Sequence, residues 1–347
     1  MLRLPRFRLE MPATLDEAAR MLRDLGAHEQ DPGAVGTPGM RVMMVAGGTD
    51  LYPNMKRRQF TPEVLVSLRR AVDATVATRP EADTFRIGAG ATLTQVASSP
   101  AVRSRYTALA TAAGLVSTPQ LRNMGTIGGN ICLDTRCNWY NESLFWRTAE
   151  GFCMKTHPSV VCRVATSSPR CLAVASADTV PALMALGAVV RIRNADGARD
   201  VEIAHLYQED GMRYMTIRRD EIVSEILLPA ALEWRSTYLK ARDRSSFDFP
   251  IVGLAAAVRM DGAVVADARL ALTAVSSRPV LVDAARTALV GSQLDDEAIA
   301  AAAEAAFKAA RPMDNTSSTI AQRKRTVSVF ATRALRELRD GAAASAA

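Results

Sequence analysis

The spacing of apolar side chains divides the chain into short helices and strands. Residues 12–26 carry apolar side chains at helical spacing, with Thr14 at the N-cap position and Glu17 three places later, which predicts a capped amphipathic helix. Apolar runs bounded by glycine or charged residues predict strands in RVMMVAGGTDLY, VLVSLRR and FRIGAGATL. A stretch rich in alanine and leucine, VRSRYTALATAAGLV, predicts one further helix.

The pattern changes near residue 230. Before it, TVPALMALGAVVRIRNADGARDVEIAHLY predicts an apolar helix followed by two strands, and EIVSEILLP predicts a third strand. From Trp234 onward, longer alternating runs predict an antiparallel sheet with helices packed on it, including a hairpin turn at Asp261-Gly262. We therefore predict an α+β fold with a first domain at 1–230, a second at 231–340 and a frayed tail at 341–347.

Composition narrows the class of protein. The 347 residues are 48% hydrophobic and 23% charged, so the chain can bury substantial cores. It contains no run of eighteen apolar residues, and charges interrupt every turn of its first segment. We therefore expect neither a membrane span nor a secretory signal, and a cytoplasmic location.

The formal net charge of +7 does not by itself indicate a nucleic-acid partner. The basic clusters at 56–58 and 323–325 lack interleaved aromatic residues, so we interpret them as solvated faces or docking surfaces for acidic proteins. The three histidines, His28, His157 and His205, show no partner pattern and are expected to be structural or surface residues.

Two glycine turns are candidates for phosphate binding. VAGGTDL follows a predicted strand, and its small residues allow several backbone N–H groups to face one ligand. GTIGGN is a second such turn, in which Thr126 offers a hydroxyl and Asn130 a carboxamide. Either turn alone is more often an ordinary tight turn, and neither has the G-x-G-x-x-G spacing of a Rossmann fold. Together they could hold a diphosphate from both sides.

Four of the five cysteines lie in one loop without predicted secondary structure. Cys137, Cys153, Cys162 and Cys171 are separated by fifteen, eight and eight residues, whereas structural zinc sites usually contain C-x₂₋₄-C pairs. Ligands from well-separated points of a long loop suit a cubane iron–sulfur cluster.

Simpler interpretations of these thiols stay open at this point. The four cysteines could be small buried core residues, or the loop could be a zinc-bound interaction module. The fifth, Cys132, lies on the apolar side of GGNICL and is expected in the core. Several aromatic residues could shield a cluster from water or simply pack the loop: Trp139, Tyr140, Phe145, Trp146 and Phe152.

Nearly the whole chain resembles the flavin-binding subunits of the molybdenum hydroxylases, the xanthine dehydrogenase family. The resemblance is carried by VAGGTDLYPNMKR, RIGAGATLTQVA, RNMGTIGGNI, SADTVPALMALGA and EIVSEILLP. It implies a two-part FAD-binding domain of the PCMH type, followed by an antiparallel sheet with helices. Most members of that family pass from GGN almost directly to the helix containing PALMALGA, whereas this chain inserts about forty residues, at 132–172.

The insertion resembles that of the flavin subunits of 4-hydroxybenzoyl-CoA reductases, a branch of the same family. The shared pattern comprises DTRC, YN, WR, GFCMK, a further cysteine and SPRC. The resemblance implies that Cys137, Cys153, Cys162 and Cys171 ligate a [4Fe–4S] cluster. It also implies an FAD site formed by the following residues: Ala46, Gly47, Gly48, Thr49, Asp50, Leu51, Thr118, Thr126, Gly128, Gly129, Asn130, Asp178 and Lys240.

Two of these residues have a simpler interpretation. Asp178 could serve only as the N-cap of the following helix, and Lys240 could be an ordinary exposed lysine.

The function implied is that of an oxidoreductase subunit that transfers electrons. A ferredoxin-type donor would supply electrons, which pass toward partner [2Fe–2S] and molybdenum subunits in a dimer of heterotrimers that dehydroxylates an aromatic acyl-CoA. The chain itself is expected to contain no catalytic acid or base. One alternative is a subunit of a hydroxylase that oxidises an aromatic or N-heterocyclic substrate, and another is the non-enzymatic zinc module.

Overall fold

The computed structural model describes residues 3–30, 40–79, 84–157, 159–230 and 234–345, with side chains through 341. The Gly/Pro-rich connection between the first helix and the first glycine turn lies mostly outside these ranges. The strands are β1 Arg8–Glu10, β2 Val42–Val45, β3 Val64–Ser67, β4 Val76–Arg79, β5 Thr84–Gly88, β6 Val189–Asn194, β7 Gly197–Glu202, β8 Ile222–Pro229, β9 Trp234–Ala241, β10 Val252–Asp261, β11 Val264–Thr273 and β12 Val280–Leu281.

The helices include several that are only one or two turns long. They are α1 Leu15–Asp24, α2 Leu51–Lys56, α3 Leu93–Ser98, α4 Pro100–Arg105, α5 Thr107–Leu115, α6 Pro119–Arg122, α7 Ile127–Ile131, α8 Asn138–Asn141, α9 Leu144–Glu150, α10 Thr179–Ala185, α11 Asp283–Leu289, α12 Asp296–Ala309 and α13 Ile320–Ser345. No helix in the described part of the chain combines the length and apolar character that crossing a bilayer requires.

The strands form three sheets. The first is parallel, in the order β1-β3-β2, and the second is antiparallel, in the order β4-β5-β8-β6-β7. The third, β12-β11-β10-β9, is antiparallel and belongs to the C-terminal part of the chain. The α+β prediction, with a two-part first region and an antiparallel second one, is confirmed.

The helix at the N-terminus forms with Thr14 as its N-cap, as predicted, but Glu17 completes the predicted capping box one residue early, at Ala13. The Thr14 side chain accepts a hydrogen bond from Glu17 N at 3.2 Å, and the Glu17 carboxylate accepts from Ala13 N at 2.7 Å. The hairpin prediction is also correct, since β10 and β11 meet at Gly262, whose φ of 57° favours glycine.

Two predicted elements differ from the structure. The single helix expected over VRSRYTALATAAGLV is two helices, because Tyr106 leaves the helical conformation between α4 and α5 and its hydroxyl donates to Pro229 O at 2.8 Å. Apolar spacing alone does not reveal such a break. The segment expected as a frayed tail continues α13 through Ser345.

Three apolar cores organise the chain. The largest lies between the five-stranded sheet, α1, α3, α5 and α10, and the second lies between the four-stranded sheet and α11, α12 and α13. A small third core joins the parallel sheet to the insertion and contains Cys137, Cys153 and Cys171 beside Met55 and Tyr140. The insertion therefore packs on the N-terminal part of the chain.

The prediction that the basic cluster at 323–325 lies at the surface is wrong for Arg323. Arg323 is fully buried on α13, where it donates to Met313 O at 2.8 Å, to Ile251 O at 3.4 Å and to Ala274 O. Burial lowers the pKa of Arg323 to about 10. The sequence does not reveal this role, because Arg325, two residues further along the same helix, is exposed.

We expect Arg323→Met to destabilise the C-terminal part of the chain by several kcal/mol. The substitution leaves buried carbonyl groups without a donor, and each such group costs about 1–3 kcal/mol. Urea unfolding of the variant checks this, with Arg325→Met as a matched control that should change the free energy of unfolding by no more than about 0.5 kcal/mol. Equal urea midpoints for the two variants would contradict the assignment of Arg323 as a buried donor that stabilises this part of the chain.

Candidate functional site

A cleft with a volume of about 510 Å³ lies where the two predicted glycine turns meet. The first turn follows β2, and the second leads into α7. Eleven of the residues predicted to bind a cofactor line this cleft: Ala46, Gly47, Gly48, Thr49, Asp50, Leu51, Thr126, Gly128, Gly129, Asn130 and Asp178. The structure thus brings the two turns together in one concave site.

The turns pack backbone against backbone, which explains their glycines. A Cβ atom on Gly47 would overlap the carbonyl group of Met124, just before the second turn. Gly48 has a φ of 69° and faces the ring of Tyr52, so both space and conformation favour glycine there. The result is a cradle without bulky side chains, which fits the diphosphate of a dinucleotide.

The polar groups of the second turn already have partners within the chain. Thr126 caps α7 by accepting a hydrogen bond from Gly129 N at 3.0 Å. Asn130 Oδ1 accepts from Thr179 N at 3.2 Å and from Thr179 Oγ1 at 2.6 Å, which ties α7 to α10. These side chains therefore hold the turn in shape.

Asp178 and Lys240, both predicted to touch the cofactor, form a buried ion pair with each other. Lys240 Nζ lies 2.9 Å from Asp178 Oδ2, and Tyr238 donates its hydroxyl to Asp178 Oδ1 at 2.8 Å. Burial raises the pKa of the Asp178 carboxyl and lowers that of Lys240, and the attraction between the two charges opposes both shifts. Asp178 lines the cleft, and Lys240 lies behind it.

The simpler interpretation of Lys240 is wrong, whereas that of Asp178 is correct in position only. The Lys240 side chain is 1% exposed, so it is not a surface lysine. Asp178 occupies the N-cap position of α10, but its side chain makes no capping hydrogen bond.

Thr118 has a local structural role. It is the N-cap of α6, where its hydroxyl accepts a hydrogen bond from Leu121 N at 3.4 Å. The neighbouring Ser117 and Leu121 line the cleft, whereas Thr118 is not among the lining residues.

Sequence reasoning missed the part of the cleft that comes from the C-terminal region. Phe247 and Phe249 line it, and Phe247 has a φ of 70° while its N–H donates to Ser117 O at 3.1 Å. The signal was the motif FDFP, two phenylalanines in an otherwise polar loop. Phe247 is also 59% exposed, which is unusual for a large apolar side chain.

The four cysteines of the insertion are all buried, and no disulfide joins them. Burial, with smaller contributions from the neighbouring Cys153 and Cys162, raises the pKa of Cys137 to about 11. Burial, with smaller contributions from Cys137 and Cys153, raises the pKa of Cys171 to about 12. Cys137, Cys153 and Cys171 also share the third apolar core.

A single metal ion does not fit this arrangement as it stands. Among the described residues, no three Cys, His, Asp or Glu side chains converge closely enough to ligate one ion. Two sulfurs nevertheless face hydrogen-bond donors. Cys153 Sγ faces Thr156 Oγ1 at 3.6 Å, and Cys171 Sγ faces Ala173 N at 3.5 Å.

A buried lysine lies beside these sulfurs. Lys155 is 1% exposed and donates to Asp134 Oδ1 at 2.7 Å and to Gly211 O at 2.9 Å. Asp134 also accepts from the Tyr140 hydroxyl at 2.9 Å and lines the cleft. The DTRC and GFCMK motifs of the insertion are thus joined by one buried ion pair.

The remaining predictions for the insertion have mixed outcomes. Cys132 is half-buried, packs against the largest core and lines the cleft, and burial raises its pKa to about 12. Tyr140 is fully buried, but Phe145 is 75% exposed and Trp146 is 52% exposed, so these two do not shield the cysteines. The side chains of the histidines lie at the surface.

Comparison with known proteins identifies the family. Residues 5–231 match the FAD binding domain in molybdopterin dehydrogenase, and residues 236–338 match the CO dehydrogenase flavoprotein C-terminal domain. The chain belongs to the FAD-binding subunits of the molybdenum hydroxylase family. It is accordingly an oxidoreductase subunit with a role in electron transfer.

Individual relatives agree with this assignment. The chain is 28% identical to the carbon monoxide dehydrogenase medium chain of Hydrogenophaga pseudoflava, over 90% of this chain and 89% of the relative. It is 30% identical to the aldehyde oxidoreductase FAD-binding subunit of Escherichia coli, over 72% and 78%. A solved structure of the Hydrogenophaga pseudoflava carbon monoxide dehydrogenase has a TM-score of 0.76, with 26% identity over 96% of this chain and 97% of the other.

We expect Lys240→Met to destabilise the protein by about 3–5 kcal/mol, because it leaves the Asp178 carboxylate buried without its cation. The exposed Lys308, which pairs with Glu304 on α12, provides the control, and Lys308→Met should cost no more than about 0.5 kcal/mol. Thermal or urea unfolding gives both values. A loss in Lys240→Met as small as in the control would show that the ion pair contributes little.

The loss in Lys240→Met should also depend on pH. Without Lys240, the folded-state pKa of Asp178 moves further above its ordinary value of 3.8, so the folded variant binds a proton that the unfolded chain releases. Stability of the variant therefore rises as pH falls through that raised pKa. The deficit relative to the unsubstituted protein should be smaller at about pH 5 than at about pH 8, and unfolding at the two pH values checks the sign.

Proposed function

We propose that this chain is the FAD and [4Fe–4S] electron-transfer subunit of a molybdenum-containing complex that resembles 4-hydroxybenzoyl-CoA reductase. A low-potential donor of the ferredoxin type supplies the electrons. They pass to a [2Fe–2S] small subunit and a molybdenum-cofactor large subunit, arranged as a dimer of heterotrimers. The reaction served is the reductive dehydroxylation of an aromatic acyl-CoA.

The observation that supports the proposal is that the insertion contains four buried, unbridged thiols, three of which share one small core: Cys137, Cys153 and Cys171. Cys137 is one residue from Arg136, whose side chain contacts the first glycine turn. The medium subunits of the family have no such cluster, so the assignment of one to this chain rests on the insertion alone. The substrate class rests on the resemblance of the insertion alone.

The flavin site is assigned to the cleft of the two glycine turns. Backbone N–H groups of the first turn, around Gly47 and Gly48, would hold the diphosphate, and Asp178 would lie beside the nucleotide. Gly128 N and Gly129 N donate to Ala89 O and Thr126 Oγ1, so the second turn would contribute its close backbone rather than these two donors. When bound, FAD exchanges electrons singly or in pairs, and the protein contributes position and electrostatics. The Asp178–Lys240 pair keeps a buried carboxylate fixed at this wall of the cleft.

The cluster is assigned to Cys137, Cys153, Cys162 and Cys171. A [4Fe–4S] cluster is larger than a single ion, so it takes thiolate ligands from more widely separated points. When bound, it supplies a one-electron centre whose potential depends on hydrogen bonds to sulfur and on burial. Thr156 Oγ1 and Ala173 N lie within reach of two of the sulfurs, and the charge of Lys155 acts on Cys171.

A second candidate function is a subunit of a complex that oxidises its substrate. The names of the relatives favour it: a carbon monoxide dehydrogenase, an aldehyde oxidoreductase and a nicotinate dehydrogenase from Eubacterium barkeri, to which the chain is 28% identical. In this alternative, electrons leave the molybdenum subunit through the flavin. The insertion then serves a different partner.

We expect anaerobically purified Cys153→Ser to lose the cluster's iron and still bind FAD at saturating concentration. The thiolate is a ligand of the proposed cluster, whereas the cleft is formed by other residues. Iron analysis and visible absorption measure the two cofactors separately. The matched control is Cys132→Ser, which should retain both, because Cys132 is outside the proposed ligand set.

Two results would contradict this assignment. Loss of iron in Cys132→Ser would mean that the ligand set is wrong. A colourless unsubstituted protein that contains stoichiometric zinc would replace the proposal with the zinc-bound module.

A redox titration of the anaerobic complex separates the two candidate functions. For a low-potential donor to feed electrons inward, the midpoint potential of the cluster should lie close to or below that of the flavin. A separation of about 59 mV corresponds to a tenfold change in a one-electron equilibrium. A midpoint potential of the cluster that exceeds that of the flavin by several times this separation would favour the alternative in which the complex oxidises its substrate.

A further inference from the structure

The side chain of Arg136 joins the insertion to two walls of the cleft. It is 4% exposed and forms an ion pair with Asp50 in the first glycine turn. It also donates to Asn54 Oδ1 on α2 at 3.3 Å, and its guanidinium lies 4.8 Å from the ring centroid of Phe249. One residue of the insertion thus contacts both the N-terminal and the C-terminal parts of the flavin site.

The position of Asp50 creates an electrostatic problem. Its carboxylate lies in the turn that would receive the diphosphate of FAD, and it lines the cleft with its side chain 33% exposed. An uncompensated carboxylate there would repel a dianionic ligand. The first turn, from Ala46 to Leu51, contains no cation of its own.

The contacts of Asp50 show how its charge is compensated. Oδ1 accepts from Arg136, and Oδ2 accepts from Asn54 Nδ2 at 3.0 Å. Both oxygens are therefore engaged on the side of the turn where α2 and the insertion lie. A planar guanidinium that holds a carboxylate and stacks on an aromatic ring is an arrangement that lysine does not reproduce.

We propose that Arg136 is a positioning residue of the flavin site, which neutralises Asp50 and holds it so that the first turn accepts a diphosphate. The insertion thereby contributes to FAD affinity, independently of whether its cysteines hold a cluster. This inference rests on the proposed location of FAD in the cleft.

The test measures FAD affinity of the full-length chain by flavin fluorescence in four forms: unsubstituted, Arg136→Gln, Asp50→Asn and the double variant. Arg136→Gln should raise the Kd for FAD about 10- to 100-fold. The reason is that the variant loses a charge-assisted hydrogen bond and leaves the Asp50 carboxylate uncompensated beside the diphosphate. Asp50→Asn should bind FAD as tightly as the unsubstituted chain or more tightly. The double variant should bind within about threefold of Asp50→Asn.

The double variant separates this role from general support of the fold. If Arg136 only packed the insertion, removing Asp50 would not restore affinity. Arg170→Gln is the matched control, because Arg170 is an exposed arginine of the same insertion, and its Kd should be unchanged. Melting temperatures without FAD identify any variant that fails to fold.

Three outcomes are decisive. An unchanged Kd in Arg136→Gln overturns the inference while leaving the FAD site intact. A more than tenfold loss of affinity in Asp50→Asn also overturns it, and this test stands even if Arg136→Gln does not fold. Failure of the unsubstituted chain to bind FAD would instead contradict the proposed function.

Discussion

The cleft depends on the close approach of two stretches of backbone. Gly47 lies against the carbonyl of Met124, and Gly128 lies where a Cβ would be 2.8 Å from the Cβ of Ala89. Because neither turn has room for a side chain at its closest contact, a ligand there meets mainly backbone. The remaining electrostatics of the site must then come from residues outside the turns.

The insertion supplies part of these electrostatics, and it does so with buried charges. Lys155 pairs with Asp134, and Arg136 pairs with Asp50. Transfer of a charge out of water is costly, and removal of one partner leaves the other unpaired, so each pair strongly favours a single arrangement of the loop. The third core is small, so its apolar packing alone would favour one position of the insertion only weakly. The two ion pairs add the specificity that the packing lacks.

The sequence predicted what depends on local patterns. The two glycine turns, the capped first helix and the hairpin at Gly262 all follow from residues close together in the chain, and the family resemblance gave the α+β architecture. The partners of Arg136, Lys240 and Arg323 could not be predicted, because each side chain reaches an element far away in the sequence. A basic residue on a helix or strand gives no local sign of whether it faces water or a buried carboxylate.

The stem of the insertion explains how so long a segment is accommodated. Arg136 N donates to Val174 O at 2.8 Å, and Val174 N donates to Arg136 O at 2.7 Å, so the two ends of the segment are paired directly. The entropic cost of bringing the two ends of a loop together grows only slowly with the length of the loop. The Asn130–Thr179 contact fixes the helices on either side of this stem. Because Arg136 is both a stem residue and the partner of Asp50 in the cleft wall, paired backbone fixes where the insertion meets the cleft, whatever the conformation of the rest of the loop.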